Sequence, residues 1–212
     1  KLLRAQKDTT ELTPAHALLI GGWYPLLVAG ALAVEVGKLS HSLAAGPHPT
    51  ARRDALGAAV GFTAVHKLLI EEADDDWGTR LKALEEQYGD GYVHPQMAGE
   101  GKITYPLGRA HAALVLRALL AVLRRVLQAG GDAAALEAMV PPGSESSAGL
   151  ARMTPGLIGE LARAAESLML FADQNVSIPY VFDELMLSVS DVLAGRALTP
   201  LDAGGAQLAE GA

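Results

Sequence analysis

Four ionisable side chains fall among apolar residues at helical spacing, and they are the first candidates for chemistry in this chain. They are His16, Glu35, His66 and His111. Burying such a group costs free energy unless it finds a partner, so each inward position requires an explanation. Imidazole and carboxylate ligands suit non-haem iron or manganese, and a single histidine is sufficient to hold haem. The sequence therefore predicts an interior site where these four residues, on different helices, bind a metal ion.

Without a metal or haem, the same site predicts acid–base chemistry. Histidine gains and loses its proton near neutral pH, so His66 and His111, together with Glu35, are the expected catalytic residues. With a metal or haem bound, we expect oxidation of a small, largely apolar or aromatic molecule. The residues expected to contact that molecule are all aromatic: Trp23, Tyr24, Phe62, Tyr105 and Tyr180.

A structural interpretation of these residues competes with the catalytic one. A single histidine among apolar neighbours is usually an interior residue with a satisfied ring, and Glu35 is one turn before Lys38, where the two would form an ion pair. The Glu-x-x-His pairs of di-iron bundles are missing from the chain. The alternative is a non-catalytic helical protein that binds a ligand or a partner. Its alanine-rich helix surface favours a homodimer.

An acidic run at 71–76 suggests a third interpretation. Aspartate-rich helix ends bind magnesium and diphosphate in the all-α isoprenoid enzymes, which would make this chain a magnesium- and diphosphate-dependent enzyme. The chain is short for that fold, however, and no second metal motif follows on a later helix. Negative charge is also favourable at the N-terminus of a helix, and the run precedes a predicted helix that begins at Trp77.

Composition limits the function classes. The chain has 212 residues, of which 50% are apolar, with a net charge of −7 and no cysteine. The high apolar fraction excludes a disordered chain, and the lack of cysteine excludes a disulfide scaffold and a cysteine nucleophile. The acidic balance argues against nucleic acid as the partner. No Gly-rich phosphate loop, Gly-x-Ser-x-Gly turn or His-Glu-x-x-His pair is present.

The elements that must position the candidate residues are helices. Apolar residues recur with helical period, and no stretch alternates as a strand would. The predicted helices cover 13–43, 50–73, 77–88, 107–128, 132–139, 154–174 and 179–195. We therefore predict an all-α fold, a single compact bundle of six or seven helices with one long Gly-rich loop at 89–106. The bundle domain covers 11–198, between a polar leader at 1–10 and a flexible tail at 199–212.

The long apolar segment from Leu12 to Val34 is the feature that bears on location. It carries no Asp, Glu, Lys or Arg, but its Trp and Tyr lie near the middle rather than at the ends, and Gly21, Gly22 and Pro25 interrupt it. We therefore expect a buried, kinked helix, no membrane association and a cytoplasmic protein. Abundant alanine, glycine and arginine with little lysine are typical of a bacterial, GC-rich genome.

Overall fold

The computed structural model describes residues 24–44, 46, 49–88, 104–172 and 176–196. These residues form seven helices and no strand. In chain order the helices are α1 (Tyr24–Ala44), α2 (Ala51–Tyr88), α3 (Thr104–Ala129), α4 (Ala133–Glu137), α5 (Ser146–Leu150), α6 (Pro155–Ala172) and α7 (Ile178–Leu193). The predicted all-α bundle is confirmed. The predicted leader at 1–10, the tail at 199–212 and most of the Gly-rich loop lie outside the described residues.

Five long helices enclose one apolar core, with the two short helices at its edge. α2 packs along α7, α3 along α6, α6 along α7, and α1 lies against α3 and α5. Leu32, Leu116, Leu168 and Phe182 come from four different helices and are fully buried in the same cluster. Each such side chain contributes about 2 kcal/mol by leaving water, so this shared cluster fixes where the helices lie relative to one another.

Local sequence signals begin and end several helices as expected. Thr154 precedes α6, where its Oγ1 accepts a hydrogen bond from the Leu157 amide at 3.3 Å, and Pro155 occupies the first helical position. Asp132 caps α4 by accepting from the Ala134 amide at 3.0 Å. Gly130, with φ of 55°, follows the last residue of α3 in the left-handed region that ends helices.

Three boundaries differ from the prediction. The helices predicted on either side of the acidic run are one continuous helix, α2, because glutamate, alanine and aspartate do not interrupt a helix as proline does. α3 begins at Thr104 rather than Leu107. Pro106 is tolerated in the first turn because proline lacks an amide hydrogen, and the amide hydrogens of a first turn have no helical acceptor. The segment between the helices predicted at 132–139 and 154–174 contains a further short helix, α5.

α5 crosses α1 at two facing glycines. A Cβ on Gly37 would collide with the Ser146 backbone, and a Cβ on Gly149 would collide with the Gly37 carbonyl. The approach is held by hydrogen bonds in which Ser40 Oγ donates to the Gly149 carbonyl at 2.8 Å and Ser146 Oγ donates to the Val34 carbonyl at 3.0 Å. The small side chains and the two hydroxyls together explain why a five-residue helix is well placed here.

α1 is the one helix, within the described ranges, that is long and apolar enough to cross a bilayer. Its mean hydropathy is 1.3, but a core helix passes the same test, so length and composition are weak evidence for a span. Val28, Leu32 and Val36 on this helix lie in the shared core. α1 therefore has the packing of a bundle helix.

Candidate functional site

Two of the predicted histidines meet in the core, together with a tyrosine and a phenylalanine. Tyr24 at the start of α1 has its Oη 2.8 Å from Nε2 of His111 on α3, within hydrogen-bonding distance. The ring of His66, on α2, stacks on that of His111 with centroids 5.7 Å apart and an angle of 7°. Phe182 on α7 places its ring edge-on to both imidazoles, at 5.4 Å from His111 and 6.2 Å from His66. We call these four residues the histidine cluster.

Burial keeps His111 neutral. Its side chain is fully buried, and this desolvation, with a smaller contribution from the neighbouring His66, lowers the pKa of His111 to about 4. Burial also raises the pKa of Tyr24 to about 12, so its hydroxyl keeps its proton. At neutral pH the bond between Tyr24 and His111 therefore joins two uncharged groups. Nδ1 of His111 is buried and has no hydrogen-bond partner among the residues that the structure describes.

His66 connects the histidine cluster to a cavity of about 260 Å³. Its Nδ1 is buried without a hydrogen-bond partner in the described part of the chain, while Cε1 and Nε2 lie against Gly108 of α3, which lines the same cavity. A Cβ at position 108 would come within 3.0 Å of Cε1 of His66, so the absence of a side chain at Gly108 leaves space for the imidazole ring. Burial lowers the pKa of His66, which makes the neutral ring the dominant form at pH 7.

The remaining wall of this cavity, which we call the His66 cavity, favours negative charge. Arg109 lines it beside Gly108, and 176–179 bring the first turn of α7 to its rim. Of the two α7 residues in the lining, Ile178 has a first-turn amide hydrogen and Pro179 has none, and the helix end carries partial positive charge. No acidic side chain is among the described residues that line the cavity. The described lining is therefore electropositive, which is compatible with a bound anionic group.

The structure does not bring the other predicted ligands to this site. The amine of Lys38 donates to Glu35 at 2.9 Å, and Glu35 lines a different depression with Asp54 and Glu145. Glu35 is also eleven residues beyond Tyr24, or about 16 Å along α1. The surface ion pair considered from the sequence is thus present, and the expected inward position of Glu35 is corrected. His16 lies outside the described residues.

Of the aromatic residues predicted to contact the substrate, some lie at the histidine cluster and others do not. Tyr24 belongs to the histidine cluster, and Phe62 adjoins it, with its ring 6.0 Å from that of Phe182. Tyr180 is 42% exposed and packs against Phe171 on α6 instead. Trp23 lies outside the described residues, and Tyr105 is placed on the first turn of α3.

A metal centre would need ligands beyond the histidine pair. Within the ranges that the structure covers, no three His, Asp or Glu side chains are grouped so that they could hold a metal ion. The two histidines of the cluster contribute two imidazoles, and a third ligand would have to come from elsewhere. The iron, manganese and haem hypotheses stay predictions.

Phe182 and Arg109 belong to the site but were not among the residues predicted from the sequence. Phe182 is on an apolar stripe of α7 and was recognisable as a core residue, but the periodicity of one helix does not say which helix it faces. Arg109 gave no signal of its own, because an arginine on a helix is usually solvated, whereas this one is half-buried beside His66. The nearby Gly108 was the available signal, because a glycine within a helix often marks a close approach.

Comparison of the chain with protein-family models, curated proteins and solved structures finds no match. No family membership follows. What the protein does must therefore be proposed from the geometry of the histidine cluster and the His66 cavity.

Proposed function

We propose that the protein is an enzyme that removes a proton from a small, negatively charged molecule bound in the His66 cavity. His66 is the proton acceptor and the catalytic residue. The observation that supports this most directly is an imidazole of lowered pKa in the wall of a cavity whose other polar lining is Arg109 and the first turn of α7. A neutral imidazole can accept a proton at pH 7, which a protonated one cannot.

His111 and Tyr24 act as positioning residues. His111 is held from one side by Tyr24, at 2.8 Å, and presents the flat face of its ring to His66. Phe182 closes the other side of both rings. A ring held in this way loses little freedom when substrate binds, and that pre-organisation is a large part of the advantage of a positioned base.

Arg109 and the α7 terminus supply the charge that orients the substrate. With the anionic group near the guanidinium, a carbon-bound proton on the same small molecule is brought toward His66, which lines the same 260 Å³ cavity. In the reaction the electron pair of the C–H bond stays on the substrate and the proton moves to Nε2 of His66. The imidazolium then returns the proton to substrate or to water. The proposed mechanism is the acid–base chemistry expected from the sequence, but Glu35 takes no part in it.

A hydrogen-exchange screen tests the proposal. Small carboxylic acids that carry a C–H next to a carbonyl are incubated with the protein in deuterium oxide and followed by proton NMR. We expect at least one acid to lose its C–H signal with the wild-type protein, and His66→Gln to slow that loss by at least about 100-fold, the typical contribution of a positioned base.

His41→Gln is the matched control. His41 is on α1 beside Glu145, away from the His66 cavity, and its replacement should leave the exchange rate unchanged. Exchange that is equally fast in His66→Gln would show that His66 is not the base. A panel in which no acid exchanges would contradict the proposal as a whole.

A further inference from the structure

A second, larger concavity lies between α1 and α3, away from the His66 cavity. It has a volume of about 870 Å³, and the segment after α4 closes one side of it at Met139. The volume is within the range of about 300 to 1,000 Å³ that is typical of small-molecule sites. None of its described lining residues is shared with the His66 cavity. We call it the α1–α3 groove.

Small apolar residues make the groove. Ala29 and Gly30 on α1 face Ala113 and Ala121 on α3, and these short side chains leave the space between the two helices unfilled. Along α3 the lining extends from position 110 to position 125, or about 22 Å of helix axis. The groove is therefore long and narrow, a shape that fits an extended alkyl chain better than a compact ring.

Two arginines supply the only charges among the described residues that line the groove. Arg117 and Arg125 are both exposed and eight residues apart, so their Cα atoms lie about 12 Å apart along the same side of α3. Neither guanidinium forms a hydrogen bond or an ion pair with a described residue. In a chain of net charge −7, such a pair of cations beside an apolar floor complements an anionic amphiphile.

We propose that the α1–α3 groove binds a free long-chain fatty acid. The alkyl chain lies on the alanine-lined floor, and the carboxylate accepts hydrogen bonds from Arg117 or Arg125. Leu26, which is 69% exposed at the opposite end of the groove from Arg125, would be covered by the chain. The proposal goes beyond the acid–base function at His66 and does not depend on it, because the two sites share no described residue.

The test is a calorimetric titration of the full chain with hexadecanoate below its micelle concentration. We expect one molecule to bind per chain. Arg117→Gln combined with Arg125→Gln should weaken binding at least tenfold, because the double variant removes every charge-assisted hydrogen bond to the carboxylate. Arg124→Gln is the matched control, since Arg124 is an exposed neighbour on α3 that does not line the groove, and it should bind as wild type does.

Two further ligands and one variant separate the contributions of head group and chain. Hexadecanol keeps the chain but lacks the charge, so it should bind at least tenfold more weakly than hexadecanoate. Dodecanoate should also bind more weakly, by up to about tenfold for every two methylenes removed. Ala121→Trp fills the groove at an exposed position and should abolish binding while helix content is unchanged.

Several results would overturn the proposal. Equal losses in Arg124→Gln and in the double variant would mean non-specific attraction. Binding to anionic vesicles that Ala121→Trp leaves unchanged, without binding of monomeric hexadecanoate, would indicate a membrane surface instead. A dimer that Ala121→Trp dissociates, again without fatty-acid binding, would make the groove an interface between two copies. His66→Gln should bind hexadecanoate normally, so failure of the catalytic proposal and failure of this one are distinguishable.

Discussion

The burial of His111 predicts a loss of stability in mild acid. In the folded protein the pKa of His111 is about 4, and in the unfolded chain it returns to the ordinary value of 6.5. Between these two pH values the unfolded chain therefore binds a proton that the folded protein does not bind. Since protons then favour the unfolded state, the contribution of His111 to stability is complete above pH 6.5 and is lost as the pH falls from 6.5 toward 4.

The size of this effect follows from the two pKa values. They differ by about 2.5, and each unit corresponds to about 1.4 kcal/mol, so the free energy of unfolding should fall by about 3 kcal/mol from this group alone. The His66 pKa is shifted in the same direction and adds to the fall. A loss of this size is a large fraction of the total stability of a typical domain, about 5 to 15 kcal/mol.

Urea denaturation followed by far-ultraviolet circular dichroism measures it. The free energy of unfolding is determined from pH 7 to pH 4 for wild type and for His111→Gln, which keeps a polar group opposite Tyr24 but does not titrate. All carboxylates are common to both proteins, so their contributions cancel in the difference. Wild type should lose about 3 kcal/mol more than the variant over this range. Parallel curves for the two proteins would refute a buried, neutral His111.

Three further predictions concern the packing around the site, each measured as the free energy of unfolding in urea. Tyr24→Phe removes the hydroxyl that bonds the buried imidazole and should cost about 1–3 kcal/mol, because a buried nitrogen loses its partner; no loss would mean that the bond is absent. Gly149→Ala should destabilise the protein by more than about 2 kcal/mol, because the added Cβ collides with α1. Gly159→Ala is in an open helical position and should stabilise the protein by about 0.5–1 kcal/mol. Similar effects at both positions would contradict the close crossing of α5 and α1. Leu168→Ala removes a buried side chain and should lower the free energy of unfolding by about 2–5 kcal/mol. Leu170 is exposed on the same helix, and Leu170→Ala should lower it by less than about 0.5 kcal/mol. The reverse order would mean that the opposite face of α6 is in the core.

The fold was predictable because each long helix has its own apolar period and its own boundary residues. Thr154 and Asp132 begin helices where the sequence indicates, and the apolar stripes identify the buried face of α3, α6 and α7. The acidic run was misleading because a row of like charges weakens a helix without breaking it, and α2 continues through it. Local signals fix the elements, whereas their boundaries depend on competing weak preferences.

The candidate site was predictable only as far as single residues. An imidazole among apolar neighbours identified His66 and His111, and the structure brings both together. That Tyr24 and Phe182 would complete the cluster depends on which helices pack together, and this information is absent from the period of any one helix. For Glu35 the sequence was ambiguous, because its spacing allowed both an inward position and an ion pair with Lys38, three residues later. The ion pair at the surface is the arrangement found.

The proposed chemistry requires that His66 is a neutral base that faces a cavity, while His111 behind it is buried. Carbethoxylation by diethyl pyrocarbonate, which attacks neutral imidazoles that solvent can reach, distinguishes the two rings. The folded protein is treated at pH 6, and the modified residues are identified by peptide mass mapping. His66 should be modified rapidly and His111 should not be modified. Modification of His111 at the same rate, or an unreactive His66, would contradict the arrangement on which the proposed chemistry depends.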